Sequence, residues 1–105
     1  MLLLKSVLRW DDRGLEALVD PRDSFLFMDA NGRIPSWVGI EYMAQAIGAF
    51  AGIESLQAGN PVCLGFLLGT RRYCADVTHF DPSQELRVSV SELLRDESNL
   101  VLFKC

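Results

Sequence analysis

Histidine is nearly missing from this chain: His79 is the only one in 105 residues. Three cysteines, Cys63, Cys74 and Cys105, show no Cys-x-x-Cys spacing, and with one His they make no ligand set for zinc. Buried free thiols in a reducing cytosol are the expectation for them, and no metal or other cofactor is implied. No basic stripe occurs, and the net charge of -4 argues against a nucleic-acid surface. No apolar run reaches the roughly 20 residues that a membrane span needs. Met1-Leu2-Leu3-Leu4 passes at once into Lys5 and a strand-like alternation, without a small-residue cleavage site, so the chain reads as cytoplasmic, with no membrane partner.

What is present is apolar material. Half of the residues are hydrophobic and 23% are charged, which fits a folded domain with a single core. Much of that material lies between Ile34 and Leu56. Pro35 and Ser36 supply a stop and an N-cap, so a helix is predicted from about Trp37. Apolar residues cover nearly its whole circumference, which predicts burial on most sides, with Trp37, Ile40, Met43, Ile47 and Phe50 as anchors. The exceptions, Glu41, Gln45, Gly48 and Gly52, stand in one line along the helix. An internal glycine costs about 1 kcal/mol against alanine, so two in register suggest close approach by a strand or another chain.

Glu41 poses the sharpest question. A carboxylate in an apolar surround is costly unless paired, and such groups are often functional. The plain structural reading is a first-turn acid steadied by helix amides and partly wet, and both readings stand at this point. Arg71 and Arg72 divide similarly. They read either as one solvated and one half-buried strand residue or as a contact for an acidic carrier or phosphate.

Around the helix the chain reads as strands. Leu2–Trp10 and Leu15–Val19 flank an Asp-Asp-Arg-Gly turn, and residues 20–34 read as a loop. Val62–Val77 reads as a long bent strand, Glu85–Leu93 as the cleanest alternation, and Leu100–Cys105 as its hairpin mate. A sheet curved around one enclosed helix, an α+β class, satisfies this order.

The run Gly32-Arg33-Ile34-Pro35-Ser36-Trp37-Val38-Gly39-Ile40-Glu41-Tyr42-Met43-Ala44-Gln45-Ala46 resembles hotdog-fold 3-hydroxyacyl-acyl-carrier-protein dehydratases. The ApeP-like branch associated with aryl polyene synthesis is the branch it most resembles. Met1-Leu2-Leu3-Leu4 with Trp10-Asp11-Asp12, and Gly65-Phe66-Leu67-Leu68-Gly69-Thr70-Arg71-Arg72-Tyr73, support the branch. In the FabA and FabZ branches a His-Phe-Pro loop leads to a Pro-Gly turn and then to a helix bearing an acid. Glu41 sits as far after Pro35 as that acid does after its proline.

The resemblance implies a hotdog domain over residues 1–105, and relatives extend beyond both ends, so truncation at both ends is expected. It implies dehydration of a 3-hydroxyacyl thioester on an acyl carrier protein, in fatty acid or polyene biosynthesis. It also implies a homodimer or a heterodimer with another hotdog subunit. Glu41 takes the acidic role, Gln45 orients it, the amide near Ser36 polarises the thioester carbonyl, and Pro35, Ser36, Trp37, Arg71 and Arg72 form the substrate site. The sequence departs from the family at two points: Phe27 stands where the catalytic His belongs, and Ser36 stands where the amide-bearing Gly does. A partner's His, or a non-catalytic half of a heterodimer, accounts for the first. A thioesterase or acyl-binding module remains an alternative, because fold alone does not choose activity.

Overall fold

The computed structural model describes residues 2–59, 73–97 and 100–105. Strands β1 (Leu4–Trp10) and β2 (Gly14–Val19) form the expected antiparallel hairpin. The Asp11 carboxylate closes its turn, accepting the amides of Arg13 at 2.8 Å and Gly14 at 2.9 Å, the local bonding that suits Asp to turns. Gly14 also lies directly against the backbone carbonyl of Val90, where a Cβ has no room.

The stretch after β2 is more ordered than a loop. Residues Pro21–Phe27 form a 3-10 helix capped by Asp20, whose carboxylate takes the Arg22 amide at 3.0 Å and its guanidinium at 2.7 Å. Those two bonds hold the Asp20 carboxyl down to about 2, against an ordinary 3.8. Two-residue strands β3 (Ile34–Pro35) and β4 (His79–Phe80) then pair antiparallel, Ile34 with Phe80 and Pro35 with His79.

Helix α1 (Gly39–Gln57) packs on the sheet completed by β5 (Leu86–Arg95) and β6 (Val101–Lys104), in the order β1-β2-β5-β6, antiparallel throughout. Period-2 alternation decides which side of each strand faces it. Leu15, Ala17 and Val19 of β2 and Val88 and Val90 of β5 point inward, while Arg87, Ser89 and Ser91 face water as expected. From α1 only Gly39, Tyr42, Ala46 and Phe50 are buried, meeting the sheet along one stripe.

The expectation of a helix buried on most sides is therefore corrected for this chain. One layer of strands covers one side of a cylinder. Of the five expected anchors, Phe50 is buried, Ile40, Met43 and Ile47 are partly buried, and Trp37 is 54% exposed. Tyr42 and Ala46 complete the helix's part of the core instead. Among the described residues nothing approaches Gly48 or Gly52, and a Cβ at either would meet open space there.

Two further expectations change. Most of the strand predicted over Val62–Val77 lies outside the described residues, and its described end, from Tyr73, is irregular and bends into β4. Cys74 and Cys105 are exposed rather than buried, and Cys63 is outside the described residues. Among the described residues no helix is long and apolar enough to cross a membrane.

Candidate active site

Residues 34–45 carry most of the predicted site, and the fold gathers them at the start of α1. Pro35, extended at φ -57° and ψ 140°, ends β3, and a single 3-10 turn, Ser36–Val38, leads into the α-helix at Gly39. Proline suits this entry because its ring fixes φ and its missing N–H leaves no donor to satisfy. No side chain caps the turn, so the expected N-cap role of the Ser36 hydroxyl is corrected.

Backbone contacts hold Ser36 in place of that cap. Its N–H donates to the Thr78 carbonyl at 2.9 Å, an extension of the β3–β4 pairing. Its carbonyl accepts the Tyr73 hydroxyl and the Gly39 N–H. Tyr73 lies so close over the helix start that a Cβ on Gly39 would land on its hydroxyl and 3.4 Å from the Phe80 ring. Glycine at 39 is thus a packing requirement. Burial pushes the Tyr73 phenol up, so it keeps its proton.

Glu41 occupies the first turn of α1 and is exposed. Among the described residues no hydrogen bond or ion pair holds its carboxylate, and the favourable end of the helix dipole is its main local support. The apolar surround expected for it is not supplied by the described residues. Gln45, half-buried one turn on, accepts the Leu3 amide at 2.7 Å through Oε1, tying the start of the chain to the helix.

Trp37 projects beside Glu41's turn and meets Phe27 edge to face, centroids 5.8 Å apart at 87°. Pro35 is half-buried. Pro35, Ser36, Trp37, Glu41 and Gln45 thus lie along one stretch at the entry to α1, with Phe27 against Trp37. Arg71 and Arg72 lie outside the described residues.

His79 belongs to a different cluster. Its Nε2 is 3.1 Å from Asp29 Oδ2, and its Nδ1 is 3.0 Å from the Thr78 hydroxyl. Asp29 in turn accepts the amides of Arg33 at 3.0 Å and Asn31 at 2.9 Å, bonds that lower its carboxyl, with the charges of Arg33 and His79 adding to the effect. An open depression of about 620 Å³ lies here, lined by residues 31–33 and 76–82. None of Pro35, Ser36, Trp37 or Glu41 lines it.

Sequence reasoning missed Thr78, Tyr73 and Ser24 as supports of this corner. Ser24 Oγ and the Tyr42 hydroxyl share a buried 2.7 Å hydrogen bond beneath the helix start. Tyr73 ended a quoted motif, which was a signal. Thr78 acts through its backbone, which no side-chain pattern announces.

The family model for ApeP-like proteins, described as ApeP dehydratase, matches residues 1–105. The chain belongs to the ApeP-like dehydratase family. A solved structure titled the dehydratase heterocomplex ApeI:P, from Xenorhabdus doucetiae, resembles this ApeP-like chain with a TM-score of 0.84 and 31% identity. The match covers 91% of this chain and 66% of that one, so this chain spans just under two thirds of its relative's length. No curated protein sequence matches. The fold is the hotdog fold, an antiparallel sheet against one long helix.

Proposed function

We propose that this ApeP-like chain acts with a second hotdog subunit to dehydrate 3-hydroxyacyl thioesters carried on an acyl carrier protein, in fatty acid or polyene biosynthesis. The observation that carries this reading is an acid without its usual partner. Glu41 is exposed and unpaired among the described residues at the head of α1, while the position of the family's His is filled by Phe27, packed on Trp37. A site so composed is half of an acid/base pair. That the similar solved structure is a heterocomplex supports a second subunit as the source of the other half.

Dehydration breaks the C2–H and C3–O bonds. A base takes the C2 proton, the electron pair forms the C2=C3 bond, and the hydroxyl leaves as water after receiving a proton. In this reading a partner's His takes the C2 proton and Glu41 serves the C3 hydroxyl. Charge that builds on the thioester oxygen is met by backbone N–H groups at the head of the helix. Pro35, Ser36 and Trp37 line the approach, and Arg71 and Arg72 meet the acidic carrier.

Glu41→Gln, assembled with the partner subunit and given a 3-hydroxyacyl carrier-protein thioester, is expected to lose enoyl product by about 10²-fold or more. Mass spectrometry of the carrier reads this directly. Unchanged turnover in that variant moves the chain to the second reading, a non-catalytic hotdog half, which Phe27 and the exposure of Glu41 also favour. Release of free carrier thiol in the same incubation identifies a thioesterase instead.

A further inference from the structure

The amide at the head of the helix can be specified further, on the dehydratase reading just given. Ser36 occupies the family position whose amide holds the thioester carbonyl, yet its N–H is already spent on Thr78 at 2.9 Å. An amide inside an antiparallel pairing is a poor donor to a second acceptor. One residue later, the Trp37 N–H has no partner among the described residues and belongs to the orphan donors of a first turn.

Trp37 N–H and Ser36 C=O are two ends of one planar trans peptide, so they point in opposite directions. Whatever fixes the carbonyl aims the N–H. That carbonyl accepts two donors, the Tyr73 hydroxyl and the Gly39 N–H, which use both of its lone pairs. The Gly39 bond is part of the turn itself, whereas the Tyr73 bond arrives from a segment 37 residues away. Gly39 has no side chain because that hydroxyl occupies the space.

We propose that Tyr73 is a positioning residue: by donating to the Ser36 carbonyl it locks the Ser36–Trp37 peptide so that the Trp37 N–H, rather than the Ser36 N–H, faces the substrate's thioester oxygen. Tyr73 touches no reacting atom and acts through this one peptide plane. The contact is worth most when negative charge develops on the oxygen, so its loss lowers kcat and leaves KM in place.

The test uses the active assembly of this chain. Removing an oxyanion donor outright costs about 10²–10³ in kcat, and Tyr73→Phe only misaims one, so a fall of about tenfold in kcat at unchanged KM is expected. Gly39→Ala should give the same fall by displacing the hydroxyl. In the Tyr73→Phe background the added methyl meets no hydroxyl, so Gly39→Ala should cost nothing further there. A merely structural tyrosine would instead lower thermal stability in step with activity, and the two losses would multiply.

Equal kcat for Tyr73→Phe and the parent overturns the proposal, as do multiplying losses. Failure of the dehydratase reading is separately visible, because the parent assembly then forms no enoyl product. In that case the Trp37 amide resonance decides the geometric claim. Titration of the 15N-labelled assembly with an acyl-pantetheine amide must shift it in the parent and not in Tyr73→Phe, and an unresponsive parent resonance overturns the claim.

Discussion

The two faces of α1 differ more than any other pair of surfaces in this chain. The inner face, Gly39, Tyr42, Ala46 and Phe50, is closed by β2 and β5, with Tyr73 and Phe80 over Gly39 and Ser24 bonded to Tyr42. The outer face presents Glu41, the candidate acid, with Gly48 and Ala51 to solvent, and Trp37 in the preceding turn is exposed as well. An apolar residue at nearly every turn is consistent with contacts all round, yet among the described residues the four-stranded layer meets the helix along one stripe. The inner face carries the core, whereas among the described residues nothing covers the outer face.

The largest effect that would test this contrast is on the inner face. Phe50, 2% exposed and edge-on to Phe103 at 5.8 Å, should cost about 3–5 kcal/mol when replaced by alanine. That is a large share of the roughly 5–15 kcal/mol typical of a folded domain. Urea unfolding reads it, and a loss below about 1 kcal/mol would mean that the inner stripe does not hold the helix to the sheet.

Tyr42→Phe should come next. It keeps the ring and strands the fully buried Ser24 hydroxyl, for an expected loss of about 1–3 kcal/mol. Adding Ser24→Ala should return part of that loss, since removing both polar partners is milder than removing one. If the double variant is as destabilised as the sum of the two single variants, the pair is not coupled.

On the outer face, Gly48→Ala should act in opposite senses in two assays. Open space surrounds the new methyl, so the separate chain should gain about 1 kcal/mol from helix propensity. Association with a second subunit should weaken if that subunit packs closely there. A stability gain with unchanged association, measured by sedimentation, would place the contact elsewhere on the helix.

The smallest effect serves as a control on both faces. Asp20 has its folded carboxyl depressed from 3.8 to about 2, so its contribution is complete above the unfolded value and is lost as pH falls through the folded one. Asp20→Asn should therefore unfold more easily than the parent at neutral pH. The gap in urea midpoint should close between about pH 4 and pH 2. A gap that persists at the acid end would mean that the carboxylate's charge is not what holds the 3-10 helix.

The placement of the candidate site residues was legible in the sequence as far as residue types go. Pro35, Trp37, Glu41 and Gln45 sit together because they lie within three helical turns, and helical spacing is local information. The roles of Ser36 and Tyr73 were not legible. Ser36 as an N-cap is a good expectation from composition, but backbone pairing with Thr78 supplied the restraint instead. Long-range hydrogen bonds of this kind leave no periodic trace.

By itself the sequence determined helix α1, strands β1, β2, β5 and β6, the alternation of β5, the family, and the absence of a histidine close to position 35 along the chain, because each depends on spacing along the chain or on residue identity. Only the tertiary structure decided which side of the helix the described strands cover, that Glu41 is exposed, and that the Ser36 amide is taken up by Thr78. Those follow from how many strands reach the helix and which distant carbonyl arrives first, and contacts between segments far apart in the chain are settled by packing in three dimensions.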